Sequence, residues 1–192
     1  MTTDLDVYFR PTKELLNNPH FNEGAALAYR EYGPSYAKED DGAMDLRACL
    51  DKPIFIRAGE CVKVDAGFDI WIGAKTDKNV AALVMPRSGL SLSTGIGLGN
   101  FVGLVDKGYQ GRLIMGLWNR TVNGVLINPA DRVAQLMFVP IYRAKPVIVS
   151  AFDEETERGA GGIGHTGVSD LAKQDEKVAT GLGYAFTGFC YA

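Results

Sequence analysis

A chain of 192 residues with 46% hydrophobic composition is long enough to bury one core without disulfide or metal staples, and too apolar to stay disordered. Its net charge of −3 argues against a general nucleic-acid binder, although a few local arginines and backbone N–H groups suffice for a small anion. Three cysteines without a Cys-x-x-Cys pair, only two histidines, no signal-peptide pattern and no membrane-length apolar run argue against a zinc site, secretion and a membrane span, so a cytoplasmic protein with reduced thiols is expected.

In chain order, residues 5–10 read as a short strand ended by Pro11. Thr12 is placed to cap a helix over 13–18, and residues 25–32 read as a further helical turn or two. Glu39-Asp40-Asp41-Gly42 is a polar loop. Residues 43–150 carry the punctuation of an all-β domain. Ile54 and Ile56 alternate, as do Val62 and Val64, then Phe68, Ile70 and Ile72, with turns expected at 58–60, 66–67 and 73–79. Residues 81–85, 113–118 and 133–139 are nearly continuous apolar runs, suited to strands covered on both faces in a sandwich, a barrel or a subunit interface. Strands recurring about every ten residues predict a jelly-roll-like fold. Residues 153–157 are acidic, residues 158–167 are rich in glycine, and the tail 168–192 ends in aromatic residues.

Several segments hold polar groups where chemistry needs them. In Pro86-Arg87-Ser88-Gly89-Leu90-Ser91, an arginine fork, a hydroxyl and a glycine suit phosphate oxygens, although a plain Pro-Gly turn with a surface arginine has the same composition. Gly99-Asn100-Phe101-Val102-Gly103-Leu104-Val105-Asp106-Lys107-Gly108-Tyr109-Gln110-Gly111 reads as a β-hairpin. Its Asn100 has the donor and acceptor to read the amide-like edge of a pyrimidine, and Asp106, beside apolar residues, could deprotonate a water or simply occupy a turn. Asp45, in Gly42-Ala43-Met44-Asp45-Leu46-Arg47-Ala48, could hold a metal-bound water or pair with an arginine. Asp131 and Arg132 read as a structural ion pair. Gln135, flanked by apolar residues, needs a partner if buried.

Residues 43–48, 86–91, 99–111, 130–135 and 158–167 occur together in the order that marks the trimeric dUTPases (deoxyuridine triphosphate diphosphatases), and the chain resembles that family from about residue 43 to residue 167. Gly-Asn-x-Val-Gly-Leu-Val-Asp and Tyr-Gln-Gly are nearest to the bacterial and phage pattern. The resemblance implies an all-β, jelly-roll-like (β-clip) fold with short helical segments and a homotrimer with shared sites. It implies magnesium-dependent hydrolysis of dUTP to dUMP and pyrophosphate, which lowers dUTP and supplies dUMP for dTTP synthesis. Carried onto matching positions, Asp106 would activate the water and Tyr109 would pack beneath the deoxyribose. Asn100, Gly103, Leu104 and Val105 would read uracil, with Ile114 near the base. Arg87, Ser88 and Gly89 would bind phosphates from another subunit, Gln135 would contact the α-phosphate, and Asp45 would place hydrated magnesium. Arg158, Gly162, Ile163, Gly164, His165 and Thr166 would close over the nucleotide from a third subunit. No nucleic-acid or membrane partner is implied.

The resemblance divides the chain into an N-terminal strand and extension (1–38), a β core (39–152), a lid motif (153–167) and a C-terminal extension (168–192). The family carries an aromatic that stacks on uracil where this chain has Ile163. Either the lid binds more weakly, or Tyr184, Phe186 or Phe189 of the tail takes its place. Three rivals share parts of the pattern. A dCTP deaminase of the same fold places a catalytic Glu where Gln110 stands here and lacks the glycine-rich lid. A regulatory protein that responds to dUTP would use the extra terminal segments for a partner. A capsid-like module would leave the polar motifs without purpose.

Overall fold

The computed structural model describes residues 5–73 and 79–161. Two units divide the chain, Met1–Ala144 and Lys145–Ala192. In the first, the described strands are β1 (Val7–Pro11), β2 (Met44–Arg47), β3 (Ile54–Ile56), β4 (Cys61–Ile72), β5 (Val80–Pro86), β6 (Ile96–Leu98), β7 (Gly103–Val105), β8 (Gly111–Asn119), β9 (Val125–Ile127) and β10 (Arg132–Pro140). They pair antiparallel into two four-stranded sheets, ordered β1-β4-β8-β6 and β2-β10-β5-β7, with a small β3-β9 ribbon. The alternating apolar residues supply the facing layers. Val64, Ile70, Met115 and Leu117 from one sheet and Leu46, Val84, Ala134 and Leu136 from the other form one buried cluster. This is the jelly-roll-like β fold that the pattern predicts. Among the described residues no helix is long and apolar enough to cross a membrane.

The N-terminal helices are α1 (Lys13–Leu16) and α2 (Gly24–Tyr32), with a 3-10 turn at Pro19–Phe21 between them. Thr12 caps α1 as expected, its hydroxyl accepting from Leu15 N at 3.2 Å. The helix is shorter than predicted because Asn18 starts the 3-10 turn, its side chain accepting from His20 N. This segment has its own core, in which Leu15, Phe21 and Tyr29 pack on Phe68 of β4. The buried Tyr29 hydroxyl donates to Ala66 O at 2.8 Å, and burial pushes its phenol far above the ordinary range. Burial, aided by Asp65, likewise pushes the Cys49 thiol up to about 11, from an ordinary 9.0. At pH 8 its thiolate fraction is then about a hundredfold below that of the unfolded thiol. Iodoacetamide should therefore label Cys49 far more slowly in native protein than in urea, as followed by peptide mass spectrometry. Equal rates would contradict this environment.

β1 ends at Pro11, as expected, and its place on a sheet edge tolerates the missing proline donor. Three local expectations are corrected. Residues 66–67 form no turn. β4 continues through them with a bulge, since Asp65 and Asp69 face Ile114 and Arg112, which are only two positions apart on β8. Gly67, at φ +85°, makes this bulge possible, and a side chain there would press on Leu15. Residues 99–111 are no hairpin either, because β7 pairs with β5 and β8 pairs with β4 and β6, in different sheets. Finally, β8 is covered on one face only in the single chain: Leu113, Met115 and Leu117 are buried while Ile114 remains 47% exposed. The turn expected at 73–79 lies largely outside the described residues.

In the second unit, residues 145–161 are largely exposed and carry a tight turn. There Gly159 N donates to Thr156 O at 2.9 Å and Gly161 N to Arg158 O at 3.0 Å.

Candidate active site

Three strands of one sheet build the first half of the site. β10 lies between β2 and β5, and Gln135 faces Asp45 on one side and Met85 on the other. Just past β5 the chain turns at Arg87 into α3 (Ser88–Thr94), a helix that the sequence reading missed. The small residues of Ser88-Gly89-Leu90-Ser91 conceal it, but Ser91 N bonds Arg87 O at 2.9 Å and the Ser93 hydroxyl donates to Gly89 O at 2.6 Å. Asp45, Arg87, Ser88, Gly89 and Gln135, from three separate sequence segments, line one hollow of about 230 Å³.

The charges in the hollow interlock. The Arg87 Nε meets Asp45 Oδ1 at 2.7 Å, and Arg132 Nη1 meets Asp45 Oδ2 at 3.2 Å. Arg87 Nη1 also donates to Arg132 O at 3.1 Å, so its guanidinium is fixed in plane and position. Gln135 finds the partner it requires, its amide donating to Pro86 O at 3.1 Å. Asp41 lines the rim, its carboxylate accepting from Lys38 N.

Arg132 is the functional candidate that sequence reasoning missed. The expected Asp131–Arg132 pair does not form, since Asp131 accepts from Asn128 N at 2.8 Å and Arg132 turns to Asp45. Strand alternation would send Arg132 and Gln135 to opposite faces. The register shift between Arg132 and Ala134 cancels that parity and delivers both to the hollow. An arginine three positions before an isolated polar residue in a strand was the available signal.

The second half of the site lies on the crossing between the sheets. Phe101 sits at φ +59°, rare for a bulky residue, and its ring packs edge-on against Trp118 at 6.3 Å. This sharp turn presents Asn100 at the surface, with Gly103 close to its amide nitrogen. β7 is an edge strand, so the outward N–H and C=O groups along Gly103, Leu104 and Val105 face no described strand. Asp106 follows, exposed, and Tyr109 N closes a turn onto Asp106 O at 3.0 Å. The Tyr109 hydroxyl donates to Arg112 O at 2.8 Å. Its ring lies close against Gly111, where a β-carbon would come within 2.7 Å of it. Ile114 is exposed two positions beyond Arg112 on the same face of β8.

Within one chain the two halves are well apart. Ala82 faces Val105, which sets Asp106 level with Ala81, whereas Arg87 stands six positions further on, just past the end of β5. At about 3.3 Å per residue that separation is about 20 Å. Arg158 belongs to the second unit, where its Nε donates to Gly161 O at 3.0 Å. Gly162, Ile163, Gly164, His165 and Thr166, with the tail aromatics Tyr184, Phe186 and Phe189, lie outside the described residues.

Among the described residues no cluster of three His, Cys, Asp or Glu side chains is poised to hold a metal. Both Asp45 oxygens already meet arginines, yet each retains acceptor capacity for a water. Such a carboxylate can hold a hydrated divalent ion through water.

Residues 33–167 match the family model for dUTPase. The chain belongs to the dUTPase family. Curated relatives agree over the same core. The chain is 46% identical over 134 residues to the deoxyuridine 5′-triphosphate nucleotidohydrolase of Psychrobacter sp. (strain PRwf-1), covering 70% of this chain and 85% of that protein. It is 47% identical over 138 residues to that of Paraburkholderia xenovorans (strain LB400), covering 72% and 90%. Among solved structures, the Staphylococcus bacteriophage 80alpha dUTPase with dUPNHPP superposes with a TM-score of 0.66 at 18% identity, over 85% of this chain and 99% of that one. A mutant dUTPase from phage phi11 of S. aureus, described with a structural Mg(II) ion, gives 0.59 at 18% identity, over 78% and 99%. At such identity these two structures speak for the fold. The dUTPase match begins at residue 33, so α1 and α2 precede the family core.

Proposed function

We propose that this protein hydrolyses dUTP to dUMP and pyrophosphate, as a cytoplasmic homotrimer whose active sites are each built from more than one subunit. One observation carries the reading: a chain of the dUTPase family presents an arginine-lined hollow and, about 20 Å away, an exposed carboxylate in a tyrosine-bearing turn. Relatives identical to this chain at nearly half of the aligned positions are named for the same reaction. A single triphosphate cannot engage both halves in one chain, whereas a second copy brings its hollow to the first copy's turn.

The chemistry then follows from the residues. Asn100 and the free edge of β7 offer alternating donors and acceptors to uracil, with Ile114 beside the base. The Tyr109 ring lies against the deoxyribose and leaves no room for a 2′-hydroxyl. Arg87, Ser88 and the backbone at Gly89 bind phosphate oxygens, and Gln135 reaches the α-phosphate. The Asp106 carboxylate takes a proton from water while the water oxygen bonds the α-phosphorus. The bond from that phosphorus to the bridging oxygen breaks, and pyrophosphate leaves. Arg158 and the glycine-rich segment through Gly162, Ile163, Gly164, His165 and Thr166 close over the nucleotide from a third copy. Magnesium, when bound with the nucleotide, supplies charge neutralisation at the phosphates. Asp45 would hold the hydrated ion through water, and it holds Arg87 in place.

Hydrolysis in ¹⁸O-labelled water tests the reaction, with a parallel incubation on dCTP. Label in dUMP and no ammonia from dCTP are expected. Label in pyrophosphate would contradict attack at the α-phosphorus, and ammonia from dCTP would point to deamination.

A further inference from the structure

We infer that the helical segment ahead of the family core braces the Tyr109 wall of the substrate site, and that Arg112 and Glu14 are the positioning residues of this brace. The inference rests on the reading of Tyr109 given above. Tyr109 is held by its hydroxyl on Arg112 O at 2.8 Å, so the wall stands where the Arg112 backbone stands. That stretch of backbone lies beside an irregularity in its own sheet. The β4–β8 register shifts between Asp65, which faces Ile114, and Asp69, which faces Arg112, so the bulge abuts Arg112, and the preceding residue is glycine.

Side chains tie Arg112 across the bulge. Arg112 Nη1 bonds Asp65 Oδ2 at 2.9 Å, and Arg112 Nη2 bonds Glu14 Oε2 at 2.8 Å. The other Asp65 oxygen accepts from Gly67 N at 2.6 Å, tying the pair to the bulge itself. Glu14 stands on a firm base. Its neighbour Leu15 is fully buried, Thr12 N donates to Gly67 O at 2.9 Å, and the Tyr29 hydroxyl is bonded to Ala66 O. The Glu14 carboxyl is held below its ordinary range by its own backbone N–H and by Arg112, so it is ionised at neutral pH. The segment therefore grips the bulge with backbone and phenol and reaches across it, through one carboxylate, to the residue whose carbonyl holds the wall. A surface ion pair with nothing to position would have no such chain of contacts.

The test pairs a structural readout with a kinetic one. Hydrogen exchange over residues 106–112 is measured for Arg112→Ala, Glu14→Ala and Arg30→Ala. The last removes an ion pair inside the same segment, Arg30 to Glu31 at 3.9 Å, that does not touch β8. Exchange should quicken about fivefold in Arg112→Ala, less in Glu14→Ala and not in Arg30→Ala. In steady-state assays Arg112→Ala should raise KM for dUTP about fivefold and narrow the preference for dUTP over UTP, with kcat within about twofold. Arg112→Lys should restore most of the loss. Tyr109→Phe should give a similar change, and the double variant should be no worse than either alone, because both remove one link. Wild-type exchange and preference in Arg112→Ala, or additive losses in the double variant, would overturn the brace. A wild-type protein inert on dUTP would instead overturn the functional reading while leaving the exchange result to decide the brace.

Discussion

Asp106→Asn should bind dUTP as the native protein does and lose at least about a hundredfold in kcat. General-base assistance is worth about 10²–10⁴-fold, or about 3–5.5 kcal/mol of barrier. The amide keeps the size and most of the hydrogen bonding of the carboxylate but cannot accept the proton of the attacking water. Among the described residues no other side chain bonds the Asp106 carboxylate, and its backbone carbonyl alone closes the turn with Tyr109 N. The substitution therefore leaves the turn intact. Single-turnover kinetics beside equilibrium titration with a non-hydrolysable dUTP analogue separate the two effects. A variant that binds normally and turns over near the native rate would remove Asp106 from its role.

Arg87→Ala should lower kcat/KM about 10- to 150-fold. A hydrogen bond to a charged group contributes about 1.5–3 kcal/mol, and the loss does not stop at the missing phosphate contact. Asp45 is left with Arg132 at 3.2 Å as its remaining ion-pair partner, and the carbonyl of Arg132 loses its donor. Arg87→Lys should recover little, because one ammonium cannot reproduce the Nε contact to Asp45 and the Nη1 contact to Arg132 O together. Much of the loss should appear in KM and should shrink as ionic strength rises, because screening weakens the native charge contact that the variant lacks. Kinetics of both variants on dUTP across a salt series check this. Lysine performing as well as arginine would show that a point charge suffices and that the fork has no role.

Much of this was legible in the sequence because it depends on short-range rules. Alternation at Ile54/Ile56 and Val62/Val64 marks strands whatever they pair with, and Thr12 caps α1 through a neighbour three residues away. The motif residues were legible as chemistry because Arg87, Asn100 and Asp106 stand beside glycines and apolar residues. What was hidden depends on partners distant in the chain. Whether residues 66–67 turn or bulge is decided by where Ile114 and Arg112 lie on β8. The parity of Arg132 and Gln135 is reset by a bulge that only the pairing with β2 reveals. The apparent hairpin at 99–111 dissolves because β7 pairs with β5 and not with β8. The left-handed turn at Phe101 is stabilised by Trp118, which is 17 positions away.

The central claim is selectivity for one nucleotide and one bond. Pyrophosphate release measured with magnesium on equal concentrations of dUTP, dTTP, dCTP and UTP tests it most directly. Rapid release from dUTP, with the other three far behind, is the predicted result. Comparable release from UTP, or none from dUTP, would contradict the account.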